Sequence, residues 1–397
     1  MTVPDIGALL ADIETLVRCE SPSNDHEALA QSAVAVATIG RRLLGAEPEY
    51  LTTQGCTHLR WRFGDGPSRV LLLGHHDTVW PLGSLRTHPY SVRGGVLRGP
   101  GCFDMKAGIV MALHAAATLR QRDGLALLFT GDEEIGSPWS RALIEEEARG
   151  CDAVFVLEAS AEGGGLKCRR KGVSLYRIEV EGRAAHAGLE PDKGVNAGVE
   201  IAHQVLTTVG LADAARGTSV VPTALSAGTT SNTVPAAAEV AVDVRAWDRA
   251  EQERVDQAIR ALRPVLPGAC VRITGGINRP PLDAAASTEL FALADSFAGD
   301  LGIGPLTAAA VGGGSDGNFT AGLGVPTLDG LGAVGGGAHA DDEHVIVAEL
   351  PGRTALLTAL TKAVLARRAG AEHAERAERL SHGPALNRSE PSARAPR

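Results

Sequence analysis

Side chains that bind metal ions or move protons occur in five separated stretches of this sequence. They are His75, His76 and Asp77; Asp104; Asp132, Glu133 and Glu134; Glu158; and, in a glycine-rich segment, His339, Asp341, Asp342, Glu343 and His344. Imidazole nitrogens and carboxylate oxygens suit Zn²⁺, Co²⁺ or Mn²⁺ in a catalytic site, and no pair of cysteines of the structural-zinc kind lies nearby. The residue types therefore indicate a catalytic metal site.

Short apolar runs precede three of these stretches and predict buried strands. Residues 68–79 (SRVLLLGHHDTV), 125–130 and 153–157 are apolar and end in polar or acidic residues, and helices are predicted at 104–122 and 139–149. Such alternation of strand and helix predicts a largely parallel sheet, in which the strand ends meet at one edge. A single His or acidic pair after a strand commonly has an ordinary polar role, but repetition at consecutive strand ends favours one shared site.

The pattern changes after Lys171. Residues 173–181 and 239–247 alternate apolar and polar side chains, as half-exposed antiparallel strands do, and helices are predicted near 196–211 and 248–266. This part of the chain is therefore predicted to form a separate α+β domain.

The sequence thus predicts an α/β catalytic domain with a mainly parallel central sheet, interrupted by an α+β lid and dimerisation domain. The predicted division is 1–172 for the first part of the catalytic domain, 173–282 for the lid, and 283–370 for the second part of the catalytic domain. Residues 371–397 are rich in Ala, Arg, Glu, Pro and Ser and predict a disordered tail.

Composition argues against several classes of partner. The formal charge of −9 does not favour a protein that neutralises phosphates, so we expect no nucleic-acid partner. No apolar run approaches the roughly 20 residues needed to cross a bilayer, and the N-terminal segment has no basic region typical of a signal peptide. The six scattered cysteines fit reduced thiols. We therefore expect a cytoplasmic protein without a membrane partner.

Five motifs resemble a known family in their order and spacing. The motifs are GHHDTV at 74–79, RGPGCFDMKAG at 98–108, GDEEIGS at 131–137, VLEAS at 156–160 and GGGAHADDEH at 335–344. They resemble those of the co-catalytic di-zinc aminoacylase/carboxypeptidase family. This family includes glutamate carboxypeptidases, desuccinylases and deacetylases. The resemblance extends to about residue 368. It implies the di-zinc exopeptidase-like fold.

The resemblance also implies a ligand set for two Zn²⁺ ions per chain, with Co²⁺ or Mn²⁺ as substitutes. Asp104 would bridge both ions. His75 and Glu158 would complete the site of one ion, and Glu134 and His339 the site of the other.

Three further features follow from the same resemblance. Asp77 would orient the His75 ring from outside the ligand set. Glu133 would be the general base, because its neighbour Glu134 is the one that binds metal. The peptide bond from Asp104 to Met105 would be cis.

The predicted lid contains three further motifs that also resemble the family. One occupies residues 182–197, and the other two begin at residues 229 and 278. They imply that His186, Asn232, Arg245 and Arg279 meet the substrate. His186 would donate to an oxyanion, reaching the active site of a neighbouring subunit in a homodimer formed through the lid, and an arginine would hold a substrate carboxylate. His186 and Asn232 could instead only cap turns.

A glycine-rich segment, GGGSDGNF at 312–319, could be mistaken for a phosphate loop. No Lys-Ser/Thr pair follows it, and its spacing differs from a dinucleotide fingerprint. The resemblance implies instead that Gly313 and Gly314 lie beside the substrate carboxylate, where glycine lets the backbone approach closely. The chain departs from the family at Ala159, where carboxypeptidases commonly have proline, which weakens the substrate assignment.

These observations predict a metal-dependent hydrolase that cleaves the amide bond of a small N-acyl amino acid or peptide with a free carboxylate, in the manner of a glutamate carboxypeptidase. The alternative is an N-acyl amino acid deacylase with the same metals. A one-metal carbamoylase would not need Asp104 as a bridge. A non-catalytic binding protein would not need Glu133.

Overall fold

The structure, a computed structural model, describes the backbone of residues 4–381 and the side chains of residues 4–367. The strands are β1 (Glu49–Thr53), β2 (Cys56–Arg62), β3 (Val70–His75), β4 (Ser91–Arg93), β5 (Val96–Arg98), β6 (Leu125–Thr130), β7 (Ala153–Val156), β8 (Leu166–Arg170), β9 (Gly172–Glu181), β10 (Ser219–Ala227), β11 (Ala237–Ala246), β12 (Cys270–Arg279), β13 (Ala308–Val311), β14 (Thr327–Leu328), β15 (Gly335–Gly336) and β16 (His344–Ile346). The helices are α1 (Ile6–Arg18), α2 (His26–Leu44), α3 (Ala107–Thr118), α4 (Arg141–Ala148), α5 (Ala197–Val209), α6 (Arg249–Arg260), α7 (Ala284–Leu301), α8 (Gly317–Gly322) and α9 (Leu350–Ser381).

A six-stranded sheet forms the centre of the catalytic part, in the order β1-β2-β6-β3-β7-β14. The pairs β6–β3, β3–β7 and β7–β14 are parallel, whereas β1–β2 and β2–β6 are antiparallel. Every residue of β3, β6 and β7 is buried, as the apolar runs in the sequence predicted. The α/β fold with a mainly parallel central sheet is therefore confirmed.

Helices cover the central sheet and complete its core. α3 is buried from Ala107 to Ala116, and it packs against α2, α9 and β3. The main core gathers apolar side chains from α1, α2, α3, α7 and α9 with those of the strands. Because packed helices hold these strands rigidly, the loops that follow their carboxyl ends start from fixed positions.

A second, antiparallel sheet has the order β10-β11-β9-β12 and occupies residues 172–279, within the segment predicted as the lid. α5 and α6 pack against it, and the apolar side chains between them form a separate core. The predicted division of the chain at 172/173 and 282/283 stays a prediction. We keep the name lid for residues 173–282.

Two strands of the lid were not predicted from the sequence. β10 contains Pro222, and the register of its pairing with β11 shifts between Pro222 and Ala224. β12 contains Gly275 with a φ of 83°. Both are edge strands, where proline and glycine are tolerated because one side of the ladder is open.

Two helix boundaries also differ from the prediction. The helix predicted from residue 104 begins at Ala107, and Asp104 lies in the preceding turn with an extended backbone. α9 continues to Ser381, so residues 371–381 are helical rather than irregular, because Ala, Glu and Arg favour helix. Residues 382–397 of the predicted tail lie outside the described residues. Within the described helices, none has the length and apolar character that a membrane crossing requires.

Candidate metal centre

His75 is the last residue of β3, and its imidazole is buried at the carboxyl edge of the central sheet. Its Nδ1 lies 3.0 Å from the carbonyl oxygen of Asp77 and 3.4 Å from the Oδ1 of the same residue. Its Nε2 lies 3.4 Å from Asp104 Oδ1 and 3.6 Å from Glu158 Oε1. One ring nitrogen is therefore oriented by Asp77 while the other faces two carboxylates.

His339 forms the second half of the site. Its Nε2 lies 3.1 Å from Glu134 Oε2 and 3.4 Å from Asp104 Oδ2, and its side chain is 50% exposed. Asp104 thus presents one carboxylate oxygen to His75 and the other to His339. The structure brings the five predicted ligands into two groups that share Asp104, and in each group the ligand atoms lie within 4.8 Å of one another.

The electrostatics of the two groups favour a bound cation. Burial and the nearby Asp104 raise the pKa of Glu134 to about 7, although its hydrogen bond with His339 opposes this rise. Hydrogen bonds to Asp104 and Glu134 raise the pKa of His339 to about 10. The three carboxylates of the two groups outnumber the two imidazoles, so a cation would be stabilised there.

The residues fit a pair of divalent cations by their chemistry as well. Asp104 Oδ1 and Glu134 Oε1 are buried, and neither has a hydrogen-bond partner among the described residues. Buried polar atoms without partners commonly mark a missing ion or water. Two imidazoles and three carboxylates form a donor set that suits divalent metals in a catalytic site.

Asp77 connects this ligand set with the loop after β6. Its Oδ1 accepts a hydrogen bond from the backbone N–H of Glu133 at 3.2 Å, and its Oδ2 accepts one from Glu134 N–H at 3.2 Å. Ser23 Oγ donates to the same Oδ2 at 2.7 Å. Because Asp77 also contacts His75, one buried carboxylate fixes the relative positions of a ligand from β3 and a ligand from the next loop.

Glu133 lies beside the two groups but belongs to neither of them. Its Oε1 accepts a hydrogen bond from Arg279 Nη2 at 2.9 Å, and the same nitrogen donates to Ser137 Oγ at 2.8 Å and Asp316 Oδ1 at 3.0 Å. Burial raises the pKa of Glu133, while the Arg279 charge opposes the rise. Arg279 is thus engaged within the protein, and its predicted contact with a substrate carboxylate stays a prediction.

Glu343 has a structural role that the sequence did not reveal, although its acidic cluster was noticed. Its carboxylate accepts hydrogen bonds from the backbone N–H groups of Gly101 at 2.8 Å, Phe103 at 2.8 Å and Asp104 at 3.0 Å. Trp80 Nε1 also donates to it, at 2.6 Å. Glu343 therefore joins the loop of His339 to the turn that carries Asp104.

Arg170 was also missed. Its Nη2 donates to Glu158 Oε2 at 3.3 Å, and it forms a two-point ion pair with Asp329 at 2.7 and 3.1 Å. Its Nη1 donates to the carbonyl oxygens of Gly313 and Gly314 at 3.1 and 3.3 Å. Arg170 thus holds a predicted ligand and the predicted substrate loop together.

Gly314 is confined by its neighbours. A Cβ atom there would lie 2.7 Å from Val173 Cγ2 and 3.2 Å from Arg279 Cδ. The close approach of Val173 and Arg279 at this position favours glycine, and the predicted place of Gly313 and Gly314 beside a substrate carboxylate stays a prediction.

The remaining predicted residues of the lid lie in separate contacts. His186 is exposed, and its Nδ1 accepts hydrogen bonds from the N–H groups of Gly188 and Leu189, both at 3.1 Å. Asn232 is also exposed, and Arg245 pairs with Asp243 at 2.7 and 2.8 Å. Among the hydrogen bonds and ion pairs of residues 4–367, none joins His186, Asn232 or Arg245 to the five predicted ligands.

The peptide bond from Asp104 to Met105 is cis, as the resemblance implied.

Comparisons with known proteins identify a family and several relatives that the chain resembles. Residues 71–363 match the family described as peptidase family M20/M25/M40. Carboxypeptidase G2 from Pseudomonas sp. (strain RS-16) is 32% identical over 367 residues, covering 87% of this chain and 86% of that protein. Succinyl-diaminopimelate desuccinylase from Methylobacterium radiotolerans is 29% identical over 385 residues, covering 89% of this chain and 95% of that protein.

A solved structure shares the fold. The M20 family metallo-carboxypeptidase Sso-CP2 from Sulfolobus solfataricus superposes with a TM-score of 0.73 at 16% identity, covering 90% of this chain and 99% of the other.

Proposed function

Because the chain belongs to peptidase family M20/M25/M40 and is a metal-dependent hydrolase, we propose that it cleaves the amide bond of a small N-acyl amino acid or peptide with a free carboxylate. The observation that carries this proposal is the sharing of Asp104 by two ligand groups beside Glu133, which belongs to neither group. The likeness to Carboxypeptidase G2 favours an amino acid as the released product, and the resemblance of the sequence motifs to glutamate carboxypeptidases puts glutamate first.

Two Zn²⁺ ions are the cofactors that we propose, with Co²⁺ or Mn²⁺ as substitutes. His75, Asp104 and Glu158 would hold one ion, and Asp104, Glu134 and His339 the other. When bound, the pair of ions would polarise the scissile carbonyl and lower the pKa of a water molecule.

Glu133 is the general base in this proposal. Its carboxylate takes a proton from the attacking water and delivers it to the leaving amine nitrogen. Arg279, 2.9 Å from Glu133 Oε1, keeps the carboxylate in one orientation. Asp77 contributes by fixing the backbone on which Glu133 is mounted.

His186 is proposed to stabilise the oxyanion. Since its Nδ1 accepts two backbone hydrogen bonds, the neutral ring carries its proton on Nε2, which is then a donor directed away from its own turn. Asn232, Arg245 and Arg279 are proposed to contact the substrate. Gly313 and Gly314 are proposed to lie beside its carboxylate.

We further propose that the lid forms a homodimer interface. α5 and the edge strand β10 pack together and carry exposed apolar side chains, namely Leu206, Val209, Val221 and Leu225. Exposed apolar surface of this kind commonly marks an interface. Light scattering should give twice the chain mass, and Leu206→Glu should reduce it to the mass of one chain. A cytoplasmic location also stays a proposal, supported by the free thiols of all six cysteines.

A panel of substrates tests the proposed reaction. The zinc-loaded protein is assayed with peptides ending in glutamate, with folate-like glutamate conjugates and with N-acetyl and N-succinyl amino acids. Faster release of C-terminal glutamate supports the carboxypeptidase assignment. Faster deacylation favours the second candidate, for which the desuccinylase likeness is the specific support.

Metal analysis of the same preparation separates the remaining alternatives. One tightly bound ion at these five ligands would favour a one-metal carbamoylase. A fully loaded protein that cleaves no member of the panel would favour a binding protein.

A further inference from the structure

Lys167 is a cation beside the candidate metal centre that the proposed reaction does not use. It lies in β8, and its Nζ is 4.0 Å from Oε2 of Glu158. Oε1 of the same carboxylate faces His75 Nε2 at 3.6 Å. The Lys167 ammonium is therefore separated from the site of one proposed ion by a single carboxylate group.

An irregularity in β8 accounts for the position of Lys167. β8 pairs in parallel with β13, and the register shifts after Lys167, so that Lys167 and Arg169 are paired with consecutive residues of β13. Cys168 is thus an extra residue, as in a β-bulge, and such a residue changes the alternation of side chains along a strand. As a result, Lys167 and Arg170 both reach Glu158 although their positions in β8 have opposite parity.

The ammonium of Lys167 is nearly enclosed, yet it is poorly paired. The side chain is 14% exposed, and a Cβ atom on Gly330 would lie 3.2 Å from its Cγ, so the backbone of residue 330 packs closely against the stem. Nζ donates no hydrogen bond within residues 4–367. Its carboxylate neighbour Glu158 already accepts a hydrogen bond from Arg170 at 3.3 Å. A charge removed from water without a partner of its own is costly, so the ammonium calls for an anion.

The protein groups around Lys167 do not supply that anion. Once two divalent ions are bound as proposed, their four positive charges exceed the three carboxylate charges of the five ligands. Asp329 forms a two-point ion pair with Arg170, and it also accepts a hydrogen bond from Ser315 Oγ at 2.6 Å. The negative charge that Lys167 lacks is therefore best supplied by a bound molecule.

We propose that Lys167 binds a second carboxylate of the substrate, in addition to the one at the amino-acid end, and so selects substrates with two negative charges. This inference rests on the proposed function and deepens it. The second carboxylate could belong to the acyl group, as in an N-succinyl amino acid, or to the side chain of a released glutamate. An ammonium forms the same charge-assisted hydrogen bond with either group.

Two pairs of substrates test the proposal, and the members of each pair differ only in having a carboxylate or a carboxamide. N-succinyl-alanine and N-succinamoyl-alanine differ in the acyl group, whereas N-acetyl-glutamate and N-acetyl-glutamine differ in the amino-acid side chain. The zinc-loaded protein is compared with Lys167→Met and with Lys171→Met. The second variant is the matched control, because it removes a nearby lysine charge that lies against Trp247 rather than Glu158.

The expected result is a preference for the carboxylate in one of the pairs, and that pair identifies the source of the second carboxylate. Hydrogen bonds to charged groups commonly account for about 10–100-fold, so Lys167→Met should lower kcat/KM for the carboxylate substrate by that factor. The carboxamide substrate should change little, and Lys171→Met should keep the preference. A protein without a preference in either pair, or a Lys167→Met variant that loses both members equally, overturns the proposal.

Binding measurements separate this proposal from the proposed function. Calorimetric titration of Glu133→Gln, which should bind metal but turn over slowly, gives the affinity for each member of both pairs. Binding of the carboxylate member that is tighter by about 10–100-fold, and that loses this advantage when Lys167→Met is added, supports the role of Lys167 even if the protein cleaves none of the four compounds. Equal affinities within both pairs contradict it. Lys167→Gln, which has a polar end, replaces Lys167→Met if that variant does not fold.

Discussion

The candidate metal centre and the substrate-contacting residues proposed in the lid differ in how the fold positions them. The five predicted ligands follow strands of one rigid sheet or lie in loops joined to it, and they meet around Asp104. His186 and Asn232 are exposed, and Arg245 is paired with Asp243, so these three are satisfied locally. The contrast teaches that a packed sheet fixes a site within one chain, whereas residues of a separate domain reach a site only through the placement of that domain or of a second copy.

The strongest test of the metal-centre half of this comparison is Glu133→Gln. General-base catalysis commonly contributes about 10²–10⁴-fold, so kcat should fall by that amount. Metal content should not change, because Glu133 lies outside both ligand groups. Steady-state kinetics and metal analysis check this, with Glu162→Gln, at an exposed position, as the control. Unchanged turnover would instead favour a non-catalytic protein.

For the lid half of the comparison, the test is His186→Asn. Asparagine can keep the acceptor for the N–H groups of Gly188 and Leu189, but it removes the donor at the position of Nε2. Loss of an oxyanion donor commonly lowers kcat about 10²–10³-fold, and metal content should stay the same. A kcat equal to that of the unchanged protein would leave His186 with only its turn-capping role.

Mixing the two variants sharpens this result. If His186 acts on the neighbouring subunit, refolded mixtures of His186→Asn with Glu133→Gln should recover activity, because some sites then combine both intact residues. If it acts within its own chain, no site in the mixture is complete and activity stays low.

Glu343→Gln should produce a smaller change, which is confined to the metal centre. Gly101 and Phe103 donate to different carboxylate oxygens, so the NH2 group of glutamine would face one of these two backbone donors, and the turn that carries Asp104 would loosen. Groups that orient metal ligands typically account for about 10–100-fold in metal affinity. Competition with a chelator measures that affinity. Asp342→Asn, next in the chain and exposed, is the control, and equal affinities in the two variants would refute the assignment.

The smallest effect is expected on lid stability, at Glu251 in α6. Hydrogen bonds from Arg254, Thr218 and Arg216 lower the pKa of Glu251 to about 2, although burial opposes the shift. A folded-state pKa below the unfolded value stabilises the protein above the ordinary pKa of glutamate, and that stabilisation is lost as the pH falls towards 2.

Glu251→Gln should therefore cost about 1–3 kcal/mol of unfolding free energy at pH 7, and less below pH about 4. Urea unfolding at both pH values measures the difference. Glu253→Gln, in which the partner Arg249 is exposed, should change little. A cost that is independent of pH would show that packing, rather than charge, accounts for the loss.

The sequence predicted the central strands and the meeting of the five ligands at one edge of the sheet. Both predictions depend on patterns of apolar and polar residues that are close together in the sequence. A buried apolar run that ends in His75, or that lies a few residues before Glu134, specifies a strand and its edge without knowledge of the rest of the chain. The resemblance to the family then indicated which residue of each cluster faces the metal site.

The residues that the sequence did not identify act over long range. Arg170 has the same parity along β8 as the buried Leu166 and Cys168, which was a usable sign that it faces inward. Glu343 could not be separated from its acidic neighbours, because its four donors come from segments about 240 residues away or more. Sequence periodicity contains no information on such partners.

The chain is bonded to residues outside the lid both near the point where it enters the lid and near the point where it leaves it. Arg170 is bonded to Asp329, and its backbone pairs with Leu282, while Arg279 is bonded to Glu133 and Asp316. A swing of the lid that preserves these bonds must bend the chain between Lys171 and Asn278. Bending on the lid side of Arg279 would therefore leave these bonds, and the position of Glu133, unchanged.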